Sequence, residues 1–190
     1  MNAVLKPYLS FKDYLAAEEL AVEKSEYYAG EVFTMAGGTI NHNLIAGNTH
    51  FALKLALKNK PCKVFIGDVK LYISKVDTST YPDVFVIEGQ PEYLDNRHDV
   101  LCNANLIVEV LSNSTQDYDR AGKFDIYCEL PSFTDYILIH QNKIKVEYRI
   151  KQSQHQWLLT EYTDLNDIII LEKFGTQLTV ADIYENIEFV

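Results

Sequence analysis

The sequence predicts a mixed α/β fold in a single domain, residues 1–190, on three observations. Helical and strand periodicities alternate along the chain in the order helix, strands, helix, strands, helix, strands, the arrangement of layered α/β domains. Two short runs, Val84-Phe85-Val86-Ile87 and Leu106-Ile107-Val108-Glu109-Val110-Leu111, are aliphatic almost throughout and rich in β-branched residues, as strands buried on both faces are. After Pro131 the pattern turns to strands, which makes the C-terminal part strand-rich. A chain of 190 residues fits one domain and can bury a sizeable core.

The elements follow in order. Ser10-Phe11-Lys12-Asp13 is a capping box with Asp in the Glu position, and opens a helix to about Val22. Tyr27-Tyr28, Ala29-Gly30 and the run from Glu31 to Met35 read as strand, tight turn, strand. Gly37-Gly38-Thr39 breaks the chain. Leu44, Ile45, Asn48, Phe51, Ala52, Leu55 and Ala56 then recur at helical spacing, predicting a helix from near Asn41 to near Asn59, before Pro61.

Val64 to Ile73 alternates as one extended strand, with a polar loop from Ser74 to Thr80 before the Val84 strand. Gly89 to Asn103 is a longer polar loop. Ser112-Asn113-Ser114-Thr115 caps a helix that runs to about Leu130 and stops at Pro131-Ser132. Strands are expected over 136–140, 143–150, 157–162 and 168–171, with a turn at Gln141-Asn142 and a short helix over 180–186.

Composition narrows the function classes. A net charge of −10 argues against a broad basic face, so any grip on nucleic acid must be local, helped by metal, or made by an oligomer. Cys62, Cys102 and Cys128 are far apart and odd in number, which predicts reduced thiols and a cytoplasmic setting. The N-terminus, broken by Lys6 and Pro7, is a poor signal peptide. No apolar stretch approaches the ~20 residues of a membrane span.

Two acids sit where acids are costly. Asp83 follows Pro82 directly into an apolar strand, and Glu109 stands inside one. An unpaired carboxylate there costs several kcal/mol or stays protonated. A cation, a Lys or Arg, or a shared proton would neutralise it. If the two strands are neighbours, the carboxylates converge on one ion, and a hard divalent cation such as Mg²⁺ or Mn²⁺ suits so small a set. The helix after the Glu109 strand carries Lys123 and Tyr127, four apart on one flank, within reach of that strand's end.

Pro82-Asp83, Glu109-Val110-Leu111-Ser112, Ser114-Thr115, Asp119-Arg120, Lys123 and Tyr127 together resemble the Uma-two family of restriction-endonuclease-like proteins, in the PD-(D/E)XK nuclease superfamily. The resemblance runs from about Asp13 to about Ile150 and includes Glu26, Gly30-Glu31, Met35 and His42. It implies a restriction-endonuclease-like core, a central mixed sheet flanked by helices, and Mg²⁺-dependent phosphodiester hydrolysis. It implies Asp83 and Glu109 as metal ligands with the Val110 carbonyl as a third, and the bacterial cytoplasm as the setting. The superfamily motif puts Lys two residues after the Glu. Here that residue is Leu111, and Lys123 is expected to supply the ammonium.

The expected activity is DNA cleavage, by a homodimer if a duplex is cut at two sites. Plainer readings stand beside it. Asp83 also reads as a turn residue, Glu109 as half of a buried pair with Lys123 or Arg120, and Lys123 as a solvated partner of Asp119. His42 and Glu31 are possible accessory groups, or a helix cap and a hairpin charge. Asp68-Val69-Lys70 is an acid-x-Lys on one strand face that solvent alone would explain. The rival functions are a non-catalytic binding module and a phosphoesterase of small nucleotides.

Overall fold

The structure, a computed structural model, describes residues 8–112 and 118–189. Helix α1 (Phe11–Glu18) is capped as expected, with the Ser10 hydroxyl accepting the Asp13 N–H. Strands β1 (Ser25–Tyr28) and β2 (Glu31–Thr34) form a hairpin whose turn residues, Ala29 and Gly30, both have positive φ, 44° and 95°. A two-residue hairpin turn of the right hand requires that conformation. Thr39 caps the long helix α2 (Ile40–Ala56) by accepting the His42 N–H at 3.1 Å.

The single strand expected over 64–73 is corrected. Gly67, in the left-handed region at φ 57°, turns the chain and yields two strands in different sheets, β3 (Cys62–Ile66) and β4 (Lys70–Ile73). Strands β5 (Thr78–Thr80), β6 (Val84–Glu88), β7 (Val100–Leu101) and β8 (Leu106–Leu111) follow. Both β5 and β7 fall in stretches expected to be loops. They are too short to show a periodicity, and pairing with β4 fixes them.

The expected helix ending near Leu130 begins outside the described residues at Ser114-Thr115. Its described part is a π-helical turn, Asp119–Lys123, running into helix α3 (Phe124–Cys128). Then come β9 (Asp135–His140), β10 (Val146–Ser153), β11 (Gln156–Tyr162), β12 (Ile168–Leu171), β13 (Thr176–Thr179) and α4 (Val180–Ile183).

Among the described residues the strands form a six-stranded sheet, ordered β11-β10-β9-β8-β6-β3, a five-stranded sheet, β2-β1-β5-β4-β7, and the ribbon β12-β13. The larger sheet is mixed: β8 runs parallel to β9 and antiparallel to β6. The fold is therefore mixed α and β with flanking helices, as the sequence predicts.

Alternation along β6 and β8 divides the core. Val84, Val86, Leu106, Val108 and Val110 pack with Ile45 and Leu53 of α2 and with β12, β13 and α4. Phe85, Ile87, Ile107 and Leu111 pack on the other face, with Leu71 and Ile73 of β4 and with Tyr127 and Phe133. Glu109 shares the parity of Ile107 and Leu111, so its side chain enters this second layer, between the two larger sheets.

Candidate active site

Asp83 and Glu109 meet because of strand register. Val84 lies opposite Val108 in the antiparallel β6–β8 pair. One residue further along, Asp83 falls opposite Glu109. Pro82 has no N–H to continue the ladder, so β6 begins after Asp83 and leaves that carboxylate at the strand mouth. Asp83 Oδ2 accepts the Val110 N–H at 2.7 Å and lies 3.2 Å from His42 Nε2 on the first turn of α2. In a strand the N–H and C=O of one residue leave on the same side, so the Val110 carbonyl also faces the Asp83 side of β8.

Glu109 is 3 % exposed and is met from above by the π-helical turn and α3. Tyr127 donates its hydroxyl to Glu109 Oε1 at 2.7 Å, and Thr80 Oγ1 lies 3.1 Å from that hydroxyl. Lys123 Nζ lies 3.3 Å from Glu109 Oε1, 3.4 Å from Asp119 Oδ1 and 3.4 Å from Glu26 Oε1. Glu26, on β1, accepts the Tyr28 hydroxyl at 2.5 Å and the Tyr81 N–H at 3.3 Å.

Several carboxylates thus converge on one ammonium, and the cluster holds its protons tightly. Burial pushes the Glu109 carboxyl up to about 8; the Asp83 and Asp119 charges add to the rise, and Lys123 opposes it. Burial alone would lower Lys123, but Glu109, Glu26 and Asp119 outweigh it and hold the ammonium well above its usual range. The Asp83 carboxylate raises the His42 imidazole, against the effect of burial. The cost of burying Glu26, Glu109 and Asp119 is therefore offset by one shared lysine, while Asp83 is held by the Val110 N–H and His42.

The cluster opens into a cavity of about 980 Å³, bounded by β1, β2, the 35–39 segment, α2, the ends of β6 and β8, Tyr118 and the Gln141-Asn142 turn. Of the residues singled out from sequence, Asp83, Glu109, Val110, Lys123 and His42 all line it. Glu31 does not. It is exposed on β2 opposite Tyr28, and the acid that β1 brings to the cavity is Glu26. In the sequence Glu26 belongs to the family resemblance but is not singled out as a site acid, because a hairpin alone explains Ser25-Glu26-Tyr27-Tyr28.

Asp119 joins the same cluster and is buried, so the reading of Lys123–Asp119 as a solvated pair is corrected. Arg120 does not neutralise Glu109; its guanidinium bonds Glu147 Oε1 at 2.9 Å. Asp68 is 81 % exposed in its side chain and pairs with Lys24, while Lys70 turns to Asp99, so Asp68-Val69-Lys70 takes no part. Leu111 shares the face of Glu109 and fills the apolar layer there, and Lys123 brings an ammonium to that face from the next element.

A model of the Uma2 family, described as "Putative restriction endonuclease", matches residues 11–181. The chain belongs to the Uma2 family. Two relatives from Synechocystis sp. are the uncharacterized proteins sll1609 and slr1290. The first is 39% identical over 153 residues, 80% of this chain and 86% of its own length. The second is 32% identical over 183 residues, 96% and 95% of the two lengths. A crystal structure from Anabaena variabilis, described as a putative nuclease belonging to DUF820, superposes with a TM-score of 0.73. It covers 93% of this Uma2 chain and 97% of its own at 15% identity, which shows a shared fold.

A divalent cation fits this Uma2 site by its donors. Among the described residues no three His, Cys, Asp or Glu side chains form a ready cluster for a metal ion. Mg²⁺ needs only one or two carboxylates and completes its shell with water and phosphate oxygens. Asp83, Glu109 and the Val110 carbonyl offer that set beside an open cavity. Such a cation would oppose the upward push that burial gives the Glu109 carboxyl.

Proposed function

We propose that this Uma2 protein is a divalent-cation-dependent nuclease that hydrolyses phosphodiester bonds in DNA. The observation that carries the reading is the meeting of Asp83 and Glu109 at one cavity floor, with the Lys123 ammonium 3.3 Å from Glu109. Asp83, Glu109 and the Val110 carbonyl would hold Mg²⁺ or Mn²⁺. When bound, the ion supplies Lewis acidity toward the phosphate and lowers the pKa of a bound water.

The chain's own groups supply the rest. Glu109, Glu26 and Asp119 favour the Lys123 ammonium, and in this reading one of its N–H groups turns from Glu26 or Asp119 to a non-bridging phosphate oxygen or to the attacking water. Tyr127 fixes the Glu109 carboxylate by its hydrogen bond, and the His42 imidazole, 3.2 Å from Asp83, pairs with that carboxylate. Glu26 and Asp119 hold Lys123 against the cavity floor. A cleavage assay in Mg²⁺ or Mn²⁺, with Asp83→Ala as control, tests the reading.

One observation favours a rival. The Lys123 cluster is already charge-paired, as a non-catalytic binding module on this fold would require. Intact protein that cleaves nothing would select that module. Hydrolysis confined to small nucleotides would select a phosphoesterase.

A homodimer and a cytoplasmic setting belong to the same proposal. What supports the dimer is α2, which exposes Ile40, Leu44, Phe51 and Leu55 along one side, away from the core. Laid antiparallel on a second copy, the stripe matches itself: Ile40 faces Leu55 and Leu44 faces Phe51. Gly47 falls beside the centre, where nothing lies within 4 Å of an added Cβ.

A further inference from the structure

The cavity has acids at its floor and aromatic rings at its rim. Phe33 is 50 % exposed and Tyr118 41 % exposed. Both meet Tyr28 edge to face, with ring centroids 5.4 Å and 5.8 Å apart and planes at 77°. Strand β2 lies at the edge of its sheet with every residue exposed, so Phe33 stands free of a covering layer. Tyr28 joins this wall to the floor: its hydroxyl bonds Glu26, which in turn faces Lys123.

Cations are scarce at the same place. Among the described residues lining the cavity, Lys123 is the only Lys or Arg, and it is buried and paired with Glu109, Glu26 and Asp119. Duplex DNA shows a protein its phosphates and keeps its bases stacked inside, so it is gripped mainly by Lys and Arg. A single strand offers the faces of its bases, and aromatic side chains bind these with little regard to sequence. A cavity of this size admits a nucleotide with its flanking phosphate.

We propose that the site takes single-stranded DNA, with an unpaired base stacked on the Phe33 and Tyr118 wall and its phosphate directed to the cation that Asp83 and Glu109 would hold. The inference rests on the nuclease reading and adds the substrate class. Stacking adds affinity that needs no basic side chain, which suits a chain with a net charge of −10.

The test uses a fluorescein-labelled single-stranded 15-mer and the same sequence as a blunt duplex. Binding is read by anisotropy in Ca²⁺, with a gel confirming that the strand stays uncut, and cleavage is read separately in Mn²⁺. The single strand is expected to bind at least about tenfold more tightly than the duplex. Phe33→Ala and Tyr118→Ala should each weaken it by about tenfold or more, the scale of one lost stacking contact, and Phe33→Trp should restore it. Phe33 is exposed, so these variants keep the fold, which circular dichroism checks.

Equal or tighter duplex binding, no binding of the single strand, or binding indifferent to Phe33 overturns the proposal. The two claims fail separately. Phe33-dependent single-strand binding without cleavage in Mn²⁺ removes the nuclease reading and keeps the stacking wall. Duplex cleavage indifferent to Phe33→Ala does the reverse.

Discussion

Lys123 Nζ stands 3.3 Å from Glu109 Oε1 although the two residues come from different elements, a π-helical turn and the central strand β8. The turn also buries Asp119 against the same ammonium at 3.4 Å. A π-helical turn is uncommon and often marks a functional site. Here it lets Leu111 serve the apolar layer while an ammonium still reaches the acid two residues before it.

Glu109→Gln should change the pH dependence of stability. Burial disfavours the charge of the Glu109 carboxyl and pushes it up from its usual 4.5 to about 8. A raised pKa contributes stability that is fully present below about 4.5 and is lost as pH rises through about 8. Glutamine carries no such titration, and Lys123 keeps Glu26 and Asp119. Urea denaturation in EDTA should therefore show the variant gaining on the parent between pH 5 and pH 9. A constant difference across that range would contradict the held proton.

Lys123→Ala removes the ammonium that Glu26, Glu109 and Asp119 share. Stranding buried carboxylates costs roughly 3–5 kcal/mol, which denaturant midpoints would show at pH 7. Activity should fall by roughly 10²–10³, the loss typical of one electrostatic stabiliser, when rates are corrected for the folded fraction. Cleavage as fast as the parent would remove Lys123 from the chemistry.

Phe51→Glu tests the α2 pairing. In an antiparallel dimer it would bring a carboxylate against Leu44 of the second copy. Sedimentation equilibrium should show the parent associating and the variant monomeric, with unchanged unfolding of the monomer. A parent that is monomeric at every concentration would end the dimer proposal.

The two aliphatic strands and the acids within them were legible because burial makes a carboxylate costly and therefore conspicuous. α2 was legible from its period. β5 and β7 were not, since their two or three residues take their conformation from β4 beside them. The break at Gly67 was hidden because the residues on both sides keep the alternation of one strand. Glu26 was missed as a site acid because its partner, Lys123, is distant in sequence, and only the packing of the two sheets brings them together.

The proposed DNA cleavage depends on a cation held by Asp83 and Glu109. The direct measurement is cleavage of labelled single-stranded, duplex and branched DNA in Mg²⁺ or Mn²⁺, by the parent and by Asp83→Ala. The parent should hydrolyse phosphodiester bonds only with the metal, and Asp83→Ala should be inactive while its circular dichroism and melting remain those of a folded chain. Metal-dependent cleavage that survives in Asp83→Ala, or a folded parent that cuts no DNA under either metal, would contradict it.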